Sequence, residues 1–155
     1  MKLCLEAAIK NGANLAGADL SEANLSGADL SRANLSRANL SGAINAEAAI
    51  ARTVITPQGE LDVWKKCRNG IIVSLRIPRD ARRSSAHGRK CRAEKALVLE
   101  VFSSTGIAHS TTDAPNSVVY KSGETVVCDK WCEDRWHECA GGIHFYLTRE
   151  EAEAH

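Results

Sequence analysis

The sequence predicts a mainly β protein in two parts, an N-terminal coiled solenoid and a small C-terminal α+β domain. The first observation is a five-residue repeat that runs without a break from Ala13 to Gly42. The second is a change of composition at residues 56–60, after which tryptophan, cysteine, basic residues and β-branched runs replace the regular alanine and leucine. A chain of 155 residues has room for two such units.

The five-residue period excludes both common regular structures. A step of five residues turns an α-helix by about 140° net, so the leucines would scatter around its whole surface. In a flat strand, an odd step sends successive leucines to opposite faces. The leucines share one interior only if the chain bends once in each pentad, so that successive bends close a coil. Stacked coils of this kind form a solenoid.

Each slot of the pentad has a physical role. We expect the alanine and leucine slots to fill the interior, and the Asn or Asp slot to hydrogen-bond nearby backbone. The last two slots face water and vary. The leucine slots are Leu15, Leu20, Leu25, Leu30, Leu35 and Leu40.

These six pentads resemble the pentapeptide-repeat family, whose pattern is Ala-(Asp/Asn)-Leu followed by two free positions. The resemblance implies a right-handed quadrilateral β-helix with about four pentads per coil. Some members of the family mimic DNA and bind topoisomerases through a long acidic rod. Here the rod is short and the charges of residues 1–57 cancel, so DNA mimicry is disfavoured.

We expect three segments: a helical cap at residues 1–12, the β-helix at 13–57 and the α+β domain at 62–155. Good helix formers followed by Asn-Gly predict the cap. After Gly42 the repeat decays, with Asn45 in a leucine slot, although Ile50 and Ile55 return to the phase. The exposed end of so short a rod needs a cover. We expect the next domain or a second copy of the chain to supply it.

Apolar and β-branched runs predict strands in the second domain at residues 70–78, 96–102 and 143–147. A hairpin is expected where residues 117–120 and 124–128 flank Lys-Ser-Gly. The polar segments 79–95 and 103–116 are expected to be irregular. Thr148 and Glu151 have the spacing of a capping box, which predicts a C-terminal helix.

Three blocks of the second half are similar to an uncharacterised domain that commonly follows short pentapeptide repeats in bacteriophage proteins. The blocks are residues 64–70, 88–94 and 138–145. The resemblance implies a viral or prophage origin and carries no assigned reaction.

Composition limits the location and the partners of the protein. Its formal net charge of +1 indicates no global attraction to nucleic acid or membrane. The sequence has no apolar run long enough to span a bilayer and no apolar core of a secretory signal. We therefore expect a cytoplasmic protein of the bacterial host, without a membrane partner. In that compartment, free thiols or metal ligands are expected for the six cysteines.

A basic segment is the first candidate for a ligand site. Residues 64–95 hold eleven basic and two acidic residues, a net charge of +9. Arginine grips phosphate oxygens in pairs, and tryptophan can stack on a base. The expected ligand-binding residues are Arg79, Arg82, Arg83, Arg89, Lys90, Arg92, Trp136 and His144. The alternative is that this segment packs against the acidic half of the domain, in which case the hypothesis loses its support.

Two other chemistries remain open. Cys139 and His144 are candidates for the thiolate–imidazole pair of a covalent enzyme. Residues 142–148, with the acidic helix after them, are also faintly similar to ADP-ribosyltransferase-like folds. The alternative zinc ligands are Cys128, Cys132, His137 and Cys139. Their spacing matches no standard zinc motif, and buried free cysteines are the simpler interpretation. No cofactor is therefore expected.

Together these features favour a non-enzymatic phage accessory binding protein. The solenoid would serve as a scaffold and homo-oligomerisation element. The basic domain would bind an anionic small molecule, such as a nucleotide signal, or a host protein, in a counter-defence role. The first alternative is an enzyme that uses Cys139 and His144 or an ADP-ribosyltransferase-like pocket. The second is a purely structural assembly protein.

Overall fold

A computed structural model describes residues 14–30, 33–85, 88–111, 117–137 and 139–155. The chain forms two compact units. The first comprises the described residues up to Ile55 together with those of 85–88 and 133–138. The second comprises the described residues of 56–84, 89–132 and 139–155. The described structure is mainly β, as the sequence predicts. The predicted cap at residues 1–12 lies outside the described residues.

The pentads of the first unit fold through contacts at three fixed spacings. The Asn or Asp side chain accepts from the backbone N–H two residues later, as from Ala16 to Asn14 Oδ1 at 3.1 Å. The alanine N–H of the next pentad donates to the leucine carbonyl, as from Ala18 to Leu15 at 3.0 Å. Parallel bridges, such as that between Asn14 and Asn34, join positions twenty residues apart. The predicted backbone role of the Asn and Asp slot is thus confirmed.

The leucine slots form the core of this unit. Four leucines are buried there, and the small side chain of Ala33 is buried with them. These four are Leu20, Leu25, Leu30 and Leu35. Leu15 and Leu40 are partly buried against the same cluster. Full burial of one leucine stabilises the fold by roughly 1.5–3 kcal/mol, so the repeated slot is the main source of stability in the unit.

The pentad pattern ends earlier than the expected boundary at Pro57. Helix α1 (Ala46–Ala51) follows Asn45, whose φ is 58°. Asn45 is exposed, and its Nδ2 donates to Ser26 Oγ at 2.7 Å, so the polar residue in a leucine slot is not buried. The sequence Ala-Glu-Ala-Ala-Ile-Ala has high helix propensity. Local propensity therefore overrides the five-residue phase that continues through Ile50.

Residues 133–138 belong to the first unit although they are distant from it in sequence. Trp136 packs against the leucine cluster, and the Arg135 guanidinium lies 4.4 Å from the centre of its ring. Arg135 also donates to the Ser85 carbonyl at 2.9 Å and to the Thr53 hydroxyl. The structure thus gives Trp136, which the sequence suggested as a stacking residue, a packing role in the first unit.

The remaining elements follow in chain order. The strands are β1 (Leu61–Lys66), β2 (Ile72–Ile77), β3 (Arg83–Ser85), β4 (Cys91–Ala93), β5 (Lys95–Val101), β6 (Ile107–His109), β7 (Val119–Lys121), β8 (Thr125–Val127) and β9 (Ile143–Phe145). Helix α2 (Arg149–Ala154) closes the chain. The strands form three sheets, with the orders β1-β2-β5-β8, β3-β4-β9 and β6-β7. No helix in the described residues has the length and apolarity that a membrane crossing requires.

The structure contains most of the strands predicted for the second half and the predicted C-terminal helix. One predicted pair of strands is paired with other strands instead. The strands predicted at 70–78, 96–102 and 143–147 correspond to β2, β5 and β9. The capping box is confirmed, since Thr148 Oγ1 accepts from the Glu151 N–H at 3.2 Å and the Glu151 carboxylate accepts from the Thr148 N–H.

The predicted hairpin is wrong, because β7 pairs with β6 and β8 pairs with β5. The segments expected to be irregular contain β3, β4 and β6. Each of these strands has only three residues, which is too short to show a clear alternation.

The fifth slot of the pentad has a left-handed backbone. Gly17, Gly27 and Gly42 have φ of 70°, 73° and 69°, and Glu22 and Arg37 adopt 57° and 58° in the same slot. For a residue with a Cβ, this conformation costs about 1–2 kcal/mol. The slot faces water, as expected, but it also favours glycine.

We expect Gly27→Ala to lower the free energy of unfolding by about 1 kcal/mol. The new Cβ meets no neighbouring atom within 4 Å, so the loss comes from the left-handed backbone alone. The matched control is Arg37→Ala, which has a Cβ in the same slot before and after the change. Urea unfolding followed by circular dichroism measures both variants. Equal losses in the two would contradict the backbone explanation.

Candidate functional site

A buried lysine in β1 is the centre of the candidate site. Alternation along the strand buries Val63 and Lys65, which is only 8% exposed, and Cys67, directly after the strand, is buried as well. Its Nζ donates to the His144 carbonyl oxygen at 3.1 Å and lies 5.8 Å from the centre of the Tyr120 ring. The strand therefore holds an ammonium group inside the second unit, against a carbonyl and an aromatic face.

The surroundings of Lys65 disfavour its charge. Burial lowers the pKa of Lys65, and the charge of Lys90 lowers it further, whereas a Cys67 thiolate would raise it. Burial also raises the pKa of Cys67 to about 11. At neutral pH the Cys67 thiol is therefore uncharged and gives Lys65 no counter-charge.

His144 is neutral in this environment. It lies in β9, opposite Arg92 of β4, and its Nε2 is 3.0 Å from the Ala140 carbonyl oxygen. Burial, with the charges of Lys90 and Lys65, lowers the pKa of His144 to about 4. Because a carbonyl only accepts, Nε2 carries the proton and Nδ1 is left as an acceptor.

Two pockets of the second unit share Lys65, Thr111 and His144. The first, which we call the basic pocket, has a volume of about 310 Å³. Its cationic or titratable lining residues are Lys65, Lys66, Lys90, His144 and His155. No Asp or Glu side chain is among the described residues that line it. The second pocket has about 380 Å³ and extends to residues 139–142 and to Asp129.

The lysines of the basic pocket lack carboxylate partners among the described residues. Lys66 Nζ donates to the Glu153 backbone carbonyl at 2.9 Å. Lys90 Nζ lies 3.7 Å from Cys139 Sγ. The pocket thus concentrates positive charge that the described residues do not neutralise.

Arg92 anchors the wall of the larger pocket. It is 2% exposed and donates to the carbonyls of Cys132 at 2.7 Å and Gly141 at 3.0 Å. Its guanidinium also lies 5.0 Å from the centre of the Trp131 ring. A Cβ at Gly141 would overlap the Lys130 carbonyl oxygen, so glycine is required for this close packing.

The other predicted basic ligands are mostly engaged within the second unit. Arg82 pairs with Glu94 at 2.7 Å, and Arg89 pairs with Glu151. The Arg83 guanidinium donates to three backbone carbonyls, those of Pro57, Gly59 and Pro78. Arg79 is exposed, with no carboxylate partner in the described part of the chain. Of the predicted set, the structure brings only Lys90 and His144 together in the basic pocket.

The residues of the two alternative chemistries are placed as follows. Cys139 is exposed, and it lines the larger pocket with His144. No hydrogen bond joins these two side chains within the described structure. The described residues contain no group of three or more His, Cys, Asp or Glu side chains that could hold a metal ion. The zinc set of Cys128, Cys132, His137 and Cys139 therefore has no support in this part of the chain.

Lys65, Cys67 and Tyr120 are not among the residues that the sequence predicts for a site. The available signal is the alternation through Val63 and Lys65, which places a lysine on the apolar face of a strand. That strand was not predicted, because the run of basic residues beside it obscured the pattern.

The geometry defines a mainly β protein with a pentad-repeat unit and a second unit that contains a basic pocket. The chain belongs to the Family of unknown function (DUF5758), whose model matches residues 51–152. The model for Pentapeptide repeats (8 copies) matches residues 11–44. No curated protein and no solved structure matches the chain.

The protein is expected to lose stability as the pH falls from about 6.5 to about 4, because only the unfolded chain then binds a proton at His144. The lowered pKa of His144 contributes roughly 3 kcal/mol to the free energy of unfolding. This contribution is present above pH 6.5 and is lost as the pH falls toward 4. Urea denaturation across this range measures the slope. His144→Leu should flatten it, and His109→Leu, at an exposed histidine, should not. An unchanged slope in His144→Leu would disprove the assignment.

Arg92→Lys is expected to lower the free energy of unfolding by about 3 kcal/mol. Arg92 Nη1 donates to both carbonyls while the flat guanidinium lies against the Trp131 face, and a lysine ammonium has no planar group that does both. Arg79→Lys, at an exposed arginine, is the control and should be neutral. Chemical denaturation compares the two variants. A stable Arg92→Lys protein would show that the buried fork is not an anchor.

Proposed function

We propose that this protein is a non-enzymatic phage accessory binding protein that captures a small anionic ligand in the basic pocket. The charge of the pocket is the observation that carries the proposal. Three lysines and two histidines line about 310 Å³, and no Asp or Glu side chain does so among the described residues. A buried ammonium group without a counter-charge is costly. An anionic ligand would supply that charge.

The size of the pocket favours a small molecule over a protein surface. Its volume is at the lower end of the range for ligand sites. Lys66 and Lys90 line the same pocket as Lys65, and their amines contact a backbone carbonyl and a sulfur atom, not carboxylates. Their charges are therefore available for a phosphate or carboxylate group. A nucleotide signal, or another small molecule that carries a phosphate or carboxylate group, fits this chemistry and the suggested viral origin.

The first unit is proposed to be a right-handed quadrilateral β-helix that acts as a scaffold. Bridges between positions twenty residues apart support four pentads per coil. Ile44, in the last of these bridges, is 54% exposed and offers an apolar contact for a second copy of the chain. The phage origin and a role against a host defence rest on the resemblance of the sequence blocks alone.

The enzyme alternative rests on one observation, the position of Lys90 Nζ at 3.7 Å from Cys139 Sγ. Cys139 is exposed, so a substrate could reach its sulfur as a nucleophile. Anion binding does not require this thiol. Cys139→Ala should therefore keep ligand binding under the proposed function, whereas it would abolish turnover in an enzyme that uses Cys139 as its nucleophile.

Isothermal titration with inorganic phosphate and with adenosine monophosphate tests the proposed function. Lys90→Met should weaken the binding of either anion about tenfold, because it removes one charge-assisted contact. Arg79→Met removes the same charge from an exposed position outside the basic pocket, and it should bind as the parent protein does.

Two results would count against the pocket. If neither anion binds the parent protein, capture of a phosphate-type ligand is excluded. If Arg79→Met loses affinity and Lys90→Met retains it, the binding surface lies on the exposed basic segment instead.

A further inference from the structure

We infer that Lys65 is a reactive amine that forms a reversible imine with the carbonyl carbon of a small aldehyde acid or 2-oxo acid in the basic pocket. The inference rests on the proposed function for the capture of the ligand's carboxylate. It adds a covalent attachment site that noncovalent anion binding does not require.

The position of Lys65 gives a ligand access to its amine. Its side chain lines both pockets of the second unit although the residue is 8% exposed. The one hydrogen bond of its Nζ in the described structure goes to the His144 carbonyl oxygen. A carbonyl only accepts, so it engages an N–H and leaves the lone pair of the neutral amine unused.

The surroundings of Lys65 increase the fraction of its amine that is in that neutral form. No carboxylate pairs with it in the described residues, and Lys90 contributes a like charge. The neighbouring Cys67 thiol is uncharged at neutral pH, because burial raises its pKa to about 11. Burial of Lys65 itself lowers the pKa of its amine. Desolvated lysines next to another cation are nucleophiles for carbonyl groups.

The reaction balances without an oxidant or reductant. The Lys65 nitrogen attacks the carbonyl carbon, a C–N bond forms, and a proton moves from nitrogen to the carbonyl oxygen. The resulting hydroxyl takes the second proton from nitrogen and leaves as water, so the C–O bond breaks and a C=N bond forms. The net change is amine plus carbonyl to imine plus water, and water reverses it. The carboxylate of the ligand would pair with Lys90 or Lys66, which line the same pocket.

Reductive trapping of the full chain tests the inference. The protein is incubated with glyoxylate and sodium cyanoborohydride, which converts an imine to a stable secondary amine, and peptide mapping by mass spectrometry locates the product. We expect Lys65 to be labelled several-fold more than Lys66 and the exposed Lys121, which serve as references in the same chain. Lys65→Arg should lose the selective label, and Lys66→Arg should keep it.

The overturning result does not depend on a variant that folds. If glyoxylate labels Lys121 as strongly as Lys65 in the parent protein, Lys65 is not a selective nucleophile and the inference is wrong.

A parallel reaction with acetaldehyde, which lacks the carboxylate, separates the inference from the proposed function. Equal labelling of Lys65 by both aldehydes supports the imine and contradicts the anion pocket. Phosphate binding that depends on Lys90, with no label at Lys65 from either aldehyde, supports the pocket and overturns the imine.

Discussion

The buried guanidinium of Arg92 is the interaction on which the second unit depends. It ties the carbonyls of Cys132 and Gly141 to strand β4 and lies against the Trp131 ring. Its register partner is His144 of β9. One side chain therefore fixes both the wall formed by residues 139–142 and the strand that presents His144 to the pockets.

Arg92 and Lys65 show two different outcomes for a buried cation. Arginine has five donors in a planar fork, and at Arg92 carbonyls and an indole face surround it. Lysine is a compact charge with three donors, and at Lys65 one carbonyl accepts a hydrogen bond from it in the described structure. Burial of the arginine is thus balanced within the unit. Lys65 is buried with only part of its hydrogen-bonding capacity used in the described structure, so the remaining capacity can serve a ligand.

The sequence predicts the pentads more fully than the candidate site, because the contacts of the pentads join residues that are close in sequence. In the pentads, the Asn14 to Ala16 contact and the Leu15 to Ala18 contact lie within a single turn, so the sequence shows them directly. Even the parallel bridges within this unit recur at one fixed spacing of twenty residues. The candidate site instead joins Lys65 to His144, separated by 79 positions. No local pattern encodes that pairing, and β7 and β8 were matched wrongly for the same reason.

The number of basic residues in a segment does not show which of them can bind a ligand. The sequence contains a strong excess of positive charge, but Arg82 and Arg89 are paired with carboxylates, and Arg83 is engaged by backbone carbonyls. Such contacts confine guanidinium groups to structural roles.

The positive charge that remains available is concentrated in the basic pocket, where Lys65 and Lys90 have no carboxylate partner among the described residues. A unit that engages most of its arginines in ion pairs or in hydrogen bonds to carbonyls, yet leaves a buried lysine without a counter-charge, does not minimise its own electrostatic energy. That imbalance is expected of a site whose missing charge arrives with a ligand.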